Sequence, residues 1–468
     1  MRTTTHRRFA FVLTGLAFQA SIALASPSVF PTGTTVLDTA KAWRGFVAFS
    51  APDGKSRLID LDGNEVHQWE GFGFPAEVID PAKTGGKKGH LVVQTRNAKG
   101  PYGGIFANQE VQELDWEGKT VWKWAGQGKE GARQNHDWDR LPNGNTLLVT
   151  TVDHVVAGVS DKPIPDQVIR EIAPDGKEVW SWTVGEHVEE FGISAEGRAL
   201  LRKVFANGGQ GHGFLTINDL QPIGPNRHWD AGDVRFHPDN LVIDSREASF
   251  IAIVDKKSGK IVWKIGPDFS ETAQTAGGAA SVSSASLRPV LSVAVPRPVD
   301  QTSGQHDAHI IPKGLPGAGN LLVFDNEGPS GYPSTRLATH LGSRILEIDP
   351  LTKQIVWQYT GLDSDAPLWS FFSSFISSAR RLPNGNTLID EGMNGRIFQV
   401  TPKGEIAWEY VNPYFGRQVL GGNGTPVRTN WVFRVQPVPF DWVPAGTPHA
   451  EHHRAPIDNA NFRAPLSR

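Results

Sequence analysis

The sequence predicts an all-β chain folded as a six-bladed β-propeller. One strand-turn-strand unit ending in Trp recurs six times, a second apolar strand precedes each copy, and 50 Gly with 33 Pro favour turns over long helices. The copies begin with Leu58-Ile-Asp-Leu-Asp-Gly-Asn-Glu-Val-His-Gln-Trp69, Val111-Gln-Glu-Leu-Asp-Trp-Glu-Gly-Lys-Thr-Val-Trp122 and Ile169-Arg-Glu-Ile-Ala-Pro-Asp-Gly-Lys-Glu-Val-Trp180. They continue with Ile251-Ala-Ile-Val-Asp-Lys-Lys-Ser-Gly-Lys-Ile-Val-Trp263, Ile345-Leu-Glu-Ile-Asp-Pro-Leu-Thr-Lys-Gln-Ile-Val-Trp357 and Ile397-Phe-Gln-Val-Thr-Pro-Lys-Gly-Glu-Ile-Ala-Trp408.

Each copy reads as a hairpin, with apolar residues alternating on both sides of an Asp/Gly/Lys turn and a large aromatic to cover the sheet face. The preceding strands are expected at 45–50, 90–94, 146–151, 241–244, 320–325 and 387–390, two of them grown from an identical Arg-Leu-Pro-Asn-Gly-Asn-Thr-Leu at 140–147 and 381–388. A lone blade cannot bury both sheet faces, so the copies are expected to close into a ring. Trp spacings of 53, 58, 83, 94 and 51 residues place insertions before Trp263 and Trp357. The reading divides the chain into a signal peptide at 1–25, a propeller at 26–436 with a flexible insertion at 267–304, and a tail at 437–468 that wraps the outside or helps close the ring.

Composition narrows the function classes. A net charge of −3, from 46 basic and 49 acidic residues, gives no field to recruit nucleic acid or an anionic membrane, and the absence of Cys excludes thiolate chemistry, disulfides and Cys-ligated metals. Arg7-Arg8, an apolar run from Phe9 to Leu24 and small residues before Ser26 read as a cleaved export signal, of general or twin-arginine type, and hence a periplasmic or secreted protein. The run is shorter than the ~20 residues of a spanning helix, so no stable membrane insertion is expected.

Chemistry-bearing residues recur at blade positions. His136-Asp137 precedes one repeat strand and His306-Asp307 another; equivalent points of innermost strands converge on the channel of a propeller, so both imidazoles are expected to face one pocket. Arg246 follows the strand at 241–244, where a guanidinium suits a tetrahedral oxyanion, with a salt bridge to Asp244 or Glu247 as the structural alternative. His306 and His309, three apart, fall on opposite faces of a strand and do not share an ion.

Together His136-Asp137, the stretch from His228 to Ser245-Arg246, Gln305-His306-Asp307-Ala308 leading to Asp325-Asn326, and the closing repeat ending at Pro413 resemble the bacterial arylsulfotransferase family over about residues 45–413. The resemblance implies a periplasmic six-bladed propeller, without cofactor or nucleotide donor, that moves a sulfuryl group from an aryl sulfate to a phenolic acceptor. It implies His306 as the transiently sulfated nucleophile, His136 and His228 as groups that transfer protons and hold sulfuryl oxygens, and Arg246 as the neutralising cation. Where the family carries Asn two residues after the His aligned with His228, this chain has Asp230. Room is left for a homodimer. Two other classes compete: a quinone-dependent dehydrogenase, against which stand six repeats rather than eight, and a non-enzymatic envelope scaffold.

Overall fold

A computed structural model describes residues 31–95, 108–126, 128–193, 195–206, 214–266, 302–328, 330, 342–419 and 426–456. The export segment, residues 267–301 of the insertion and the last residues of the tail lie outside them.

Six antiparallel sheets make the six blades. From the channel outward, the second blade holds Phe72–Val78, Leu91–Thr95, Glu110–Leu114 and Thr120–Trp124. The third holds Gln134–Arg140, Thr146–His154, Ile164–Ile172 and Glu178–Thr183, and the fourth Ile217–Pro222, Leu241–Ser245, Phe250–Val254 and Ile261–Ile265. The fifth holds His306–Ile310, Leu321–Asp325, Arg344–Ile348 and Ile355–Tyr359, and the sixth Ser378–Arg381, Thr387–Glu391, Arg396–Val400 and Ile406–Val411. All six expected hairpins are present as the third and fourth strands of their blades.

Both chain ends close the ring. Gly33–Leu37 adds as a fifth, outermost strand on the sixth blade, while Val435–Val438 returns as the innermost strand of the first, beside Phe46–Ser50, Ser56–Ile59 and Glu65–Trp69. The closing strand therefore runs across the boundary expected between 436 and 437. The second strands of the first, fourth, fifth and sixth blades are buried along their whole length, whereas outer strands such as Glu178–Thr183 alternate between exposed and covered residues, as sheets packed face to face require.

Six apolar clusters fill the six gaps between neighbouring blades; Leu147, Val149 and Ile169 of the third, for example, meet Leu241, Ile243 and Phe250 of the fourth. The repeated Trp stitches them. Each indole N–H donates to a backbone carbonyl in the hairpin turn of the next blade: Trp69 to Asp115 (3.0 Å), Trp122 to Pro174 (3.2 Å), Trp180 to Lys256 (3.1 Å), Trp263 to Pro350 (2.7 Å), Trp357 to Pro402 (2.9 Å) and Trp408 to Leu61 (2.7 Å). A buried indole needs a partner for its N–H, and the sixth bond returns to the first blade.

The identical eight-residue motif has one geometry in both copies. Arg140 pairs with Glu113 (2.7 Å) over the Trp122 ring, and Arg381 pairs with Glu347 (2.7 Å) over the Trp357 ring. Gly144 and Gly385 take φ of 84° and 93° in the turns that follow, where a side chain would be strained. No helix among the described residues is long and apolar enough to cross a membrane.

Candidate active site

Because neighbouring strands are antiparallel, the start of each innermost strand and the end of each second strand share one end of the ring. His136, at the start of the third blade's innermost strand, His306, at the start of the fifth's, and Arg246, after the fourth blade's second strand, all lie at that end. The innermost strands are not regular there: the ladder is broken at both imidazoles, and His136 (φ 54°) and Asp307 (φ 60°) sit in the left-handed region. Such bulges re-aim side chains next to functional sites.

His228 is not brought to the others. It lies in the short helix Arg227–Asp230, within the connection at 223–240 that leaves the far end of the fourth blade's innermost strand. Its Nε2 is 2.8 Å from the Gly319 carbonyl and its ring packs on Phe236. Asp230 is exposed and pairs with Lys313 (3.0 Å). The resemblance groups it with Arg246, but this excursion carries it away from that end of the ring. The position equivalent to the two imidazoles is Asn218, since Asn218-Asp219 repeats His136-Asp137 and His306-Asp307 with Asn in the place of His. Asn218 accepts from the Arg246 backbone N–H (2.6 Å) and donates to the Gln305 carbonyl (3.2 Å), so it holds the main chain beside both residues.

The three Asp residues turn into the channel. Arg434, just before the closing strand, reaches Asp137 (2.9 and 3.0 Å), Asp219 (2.7 Å) and Asp307 (3.2 Å), all fully buried. Asp137 also accepts from Leu220 N–H of the next blade (2.8 Å), and Asp307 from Ala379 N–H of the next (3.0 Å). The recurring His-Asp pair thus divides its labour: the Asp ties blades together and the residue before it faces the site.

His306 is buried and its tautomer follows from its partners. Nδ1 lies 2.8 Å from Asn326 Oδ1 and 3.1 Å from the Gly304 carbonyl, and Asn326 Nδ2 donates to the carbonyls of Ser373 (2.7 Å) and Ile376 (2.9 Å), which fixes the amide orientation. Nδ1 therefore carries the hydrogen, and Nε2 accepts from Ile376 N–H (3.0 Å). Burial, and after it the Arg246 and Arg434 charges, pushes the imidazole down to about 3, so the ring is neutral at physiological pH. Ile376 (φ 55°) and Ser377 (φ 99°) are left-handed, an outlier for a β-branched residue, in the strand entry that caps Nε2.

Arg246 pairs with Glu247 (2.8 Å), as the structural alternative has it, while its buried Nε has no partner among the described residues. Beside these groups stands an aromatic wall of Phe72, Phe74, Trp431 and Phe433 with Ile376, flanked by Phe375 and Met393. Phe74 stacks on Phe433 (3.8 Å) and lies 5.7 Å from the His136 ring, and Arg246 lies 6.0 Å from Phe375. A neutral His306, the His136 imidazole, a guanidinium with a spare donor and flat apolar walls can together receive an aryl ester of a small oxyanion.

The fold and this end of its channel define a six-bladed propeller with a polar, aromatic-walled site. The model of the arylsulfotransferase (ASST) family matches residues 84–410, most of the ring, and the chain belongs to that family. No curated protein matches. Among solved structures the chain is similar to a protein of unknown function from Bacteroides caccae (10% identity, 85% of this chain and 99% of that one, TM-score 0.44). It is also similar to virginiamycin B lyase from Staphylococcus aureus (10% identity, 86% and 95%, TM-score 0.37).

Proposed function

We propose that the protein transfers a sulfuryl group from an aryl sulfate to a phenol in two steps through Nε2 of His306. The observation that carries this reading is the buried, neutral His306, held as the Nδ1–H tautomer by Asn326 and Gly304, on the ring end that also holds Arg246 and His136. In the first step Nε2 leaves the Ile376 N–H and attacks sulfur. The S–O bond to the donor breaks, and the phenolate departs with the electron pair. In the second step the acceptor oxygen attacks the same sulfur, the S–N bond breaks back to a neutral imidazole, and His136 takes the phenolic proton. Arg246 Nε, and the Ile376 N–H released from His306, are the donors available to sulfuryl oxygens as charge shifts. His228 has no part in these steps. Export through the apolar segment at 9–24 belongs to the same proposal.

The test is release of p-nitrophenol from p-nitrophenyl sulfate by the mature protein. Release that depends on added phenol, with a first step flat between pH 5 and 8 because His306 is already neutral there, is the expected result. No release with any phenol would overturn the reading.

A further inference from the structure

We propose that Gln167 is a positioning residue for the acceptor step, relaying the direction of one backbone N–H into the tautomer of His136. The inference rests on the transfer reading for the role of His136, but not for the relay itself.

Gln167 lies in the third strand of the third blade, buried at 1% exposure, and has no contact with the channel-facing ring of His136 among its hydrogen bonds. Its Oε1 accepts from the Ile217 N–H of the fourth blade. A backbone N–H can only donate, so this bond settles which end of the amide is oxygen and turns Nε2 toward Asn135, whose Oδ1 accepts it at 2.6 Å. Asn135 is settled in turn: its Nδ2 donates to Thr151 Oγ (2.7 Å), and its Oδ1 lies 2.9 Å from His136 Nδ1. An oxygen facing Nδ1 requires the hydrogen there, which leaves Nε2 of His136 as the basic nitrogen. Ile217 immediately precedes Asn218, so the same strand entry that holds the Arg246 and Gln305 backbones also sets the polarity of His136. Two carboxamides here do for His136 what Asn326 does for His306.

The test is Gln167→Glu. A carboxylate at 167 still accepts from Ile217 N–H but cannot donate to Asn135. Asn135 then flips, giving Nδ2 to residue 167 and to His136 Nδ1 while its oxygen accepts from the Thr151 hydroxyl. The fold keeps its hydrogen bonds, and the His136 hydrogen moves to Nε2. The expected result is an acceptor step slowed about a hundredfold or more, the scale of a lost general base, with the p-nitrophenol burst within about twofold of wild type because that leaving group needs no proton. Asn135→Asp, whose oxygen still faces Nδ1–H, should keep acceptor turnover within about tenfold of wild type. Long-range proton–nitrogen spectra of histidine-labelled protein should report Nδ1–H at His136 in wild type and Nε2–H in Gln167→Glu. An unaltered acceptor step, an equal fall in burst and acceptor step, or an Nε2–H tautomer in wild type would overturn the relay. Absence of any burst in wild type would instead overturn the transfer reading, and the spectra would still decide the relay.

Discussion

Exchange of His306 for Ala should abolish both the p-nitrophenol burst and phenol-dependent turnover, a loss on the order of a thousandfold or more, the scale seen when a covalent nucleophile is removed. The Ile376 N–H loses its acceptor and Asn326 Oδ1 with the Gly304 carbonyl lose a donor, while Asn326 keeps its two bonds to the Ser373 and Ile376 carbonyls. The variant is therefore expected to fold, with an unfolding midpoint close to that of wild type, and stopped-flow absorbance then reads chemistry alone. A burst that survives the exchange would move the nucleophile elsewhere.

The second large effect is on stability. Arg434 reaches the Asp of three consecutive blades, and replacement by Met would leave Asp137, Asp219 and Asp307 buried without it. Removing one partner of a buried pair costs about 3–5 kcal/mol, a large part of the stability of an ordinary domain. The deficit should grow with pH. Burial already holds Asp219 well above the carboxylate range and raises Asp307, and loss of the guanidinium pushes both higher. A carboxyl with a raised folded-state pKa contributes fully below its unfolded value and loses that contribution as pH rises through the folded value. Urea unfolding at pH 5.5 and pH 8 should therefore show the larger fall in midpoint at pH 8. Equal midpoints for wild type and Arg434→Met at both values would contradict the hub.

Much of the ring was legible because its repeat is physically costly to vary. Trp69, Trp122, Trp180, Trp263, Trp357 and Trp408 each need a partner for a covered indole N–H, and the next blade's turn supplies it, so the residue and its spacing to the turn recur. The closing strand Val435–Val438 was not legible as such, because its hairpin partner is Phe46–Ser50 at the other end of the chain and it carries no local turn signal. Arg434 was hidden for the same reason: it lies 297 residues from Asp137 and 215 from Asp219, and ring closure alone brings them together.

At the site, His136, His306 and Arg246 were visible as residue types at blade positions. Asn218 was not legible although Asn218-Asp219 stands in the sequence, because no imidazole marks it and His228 lies in the excursion that follows its strand. The Asp that follows was the better signal, since it is the group that the channel requires in all three blades. Ile376 carries its function on a backbone N–H, which no residue type announces.

The most direct test of the central claim is to react the mature protein with p-nitrophenyl sulfate in the absence of acceptor, quench in alkali, and map the peptide that spans residue 306 by mass spectrometry. One sulfuryl group on His306, lost again when phenol is added before the quench, is the predicted result. Release of p-nitrophenol with no labelled peptide, or with the label on another residue, would contradict it.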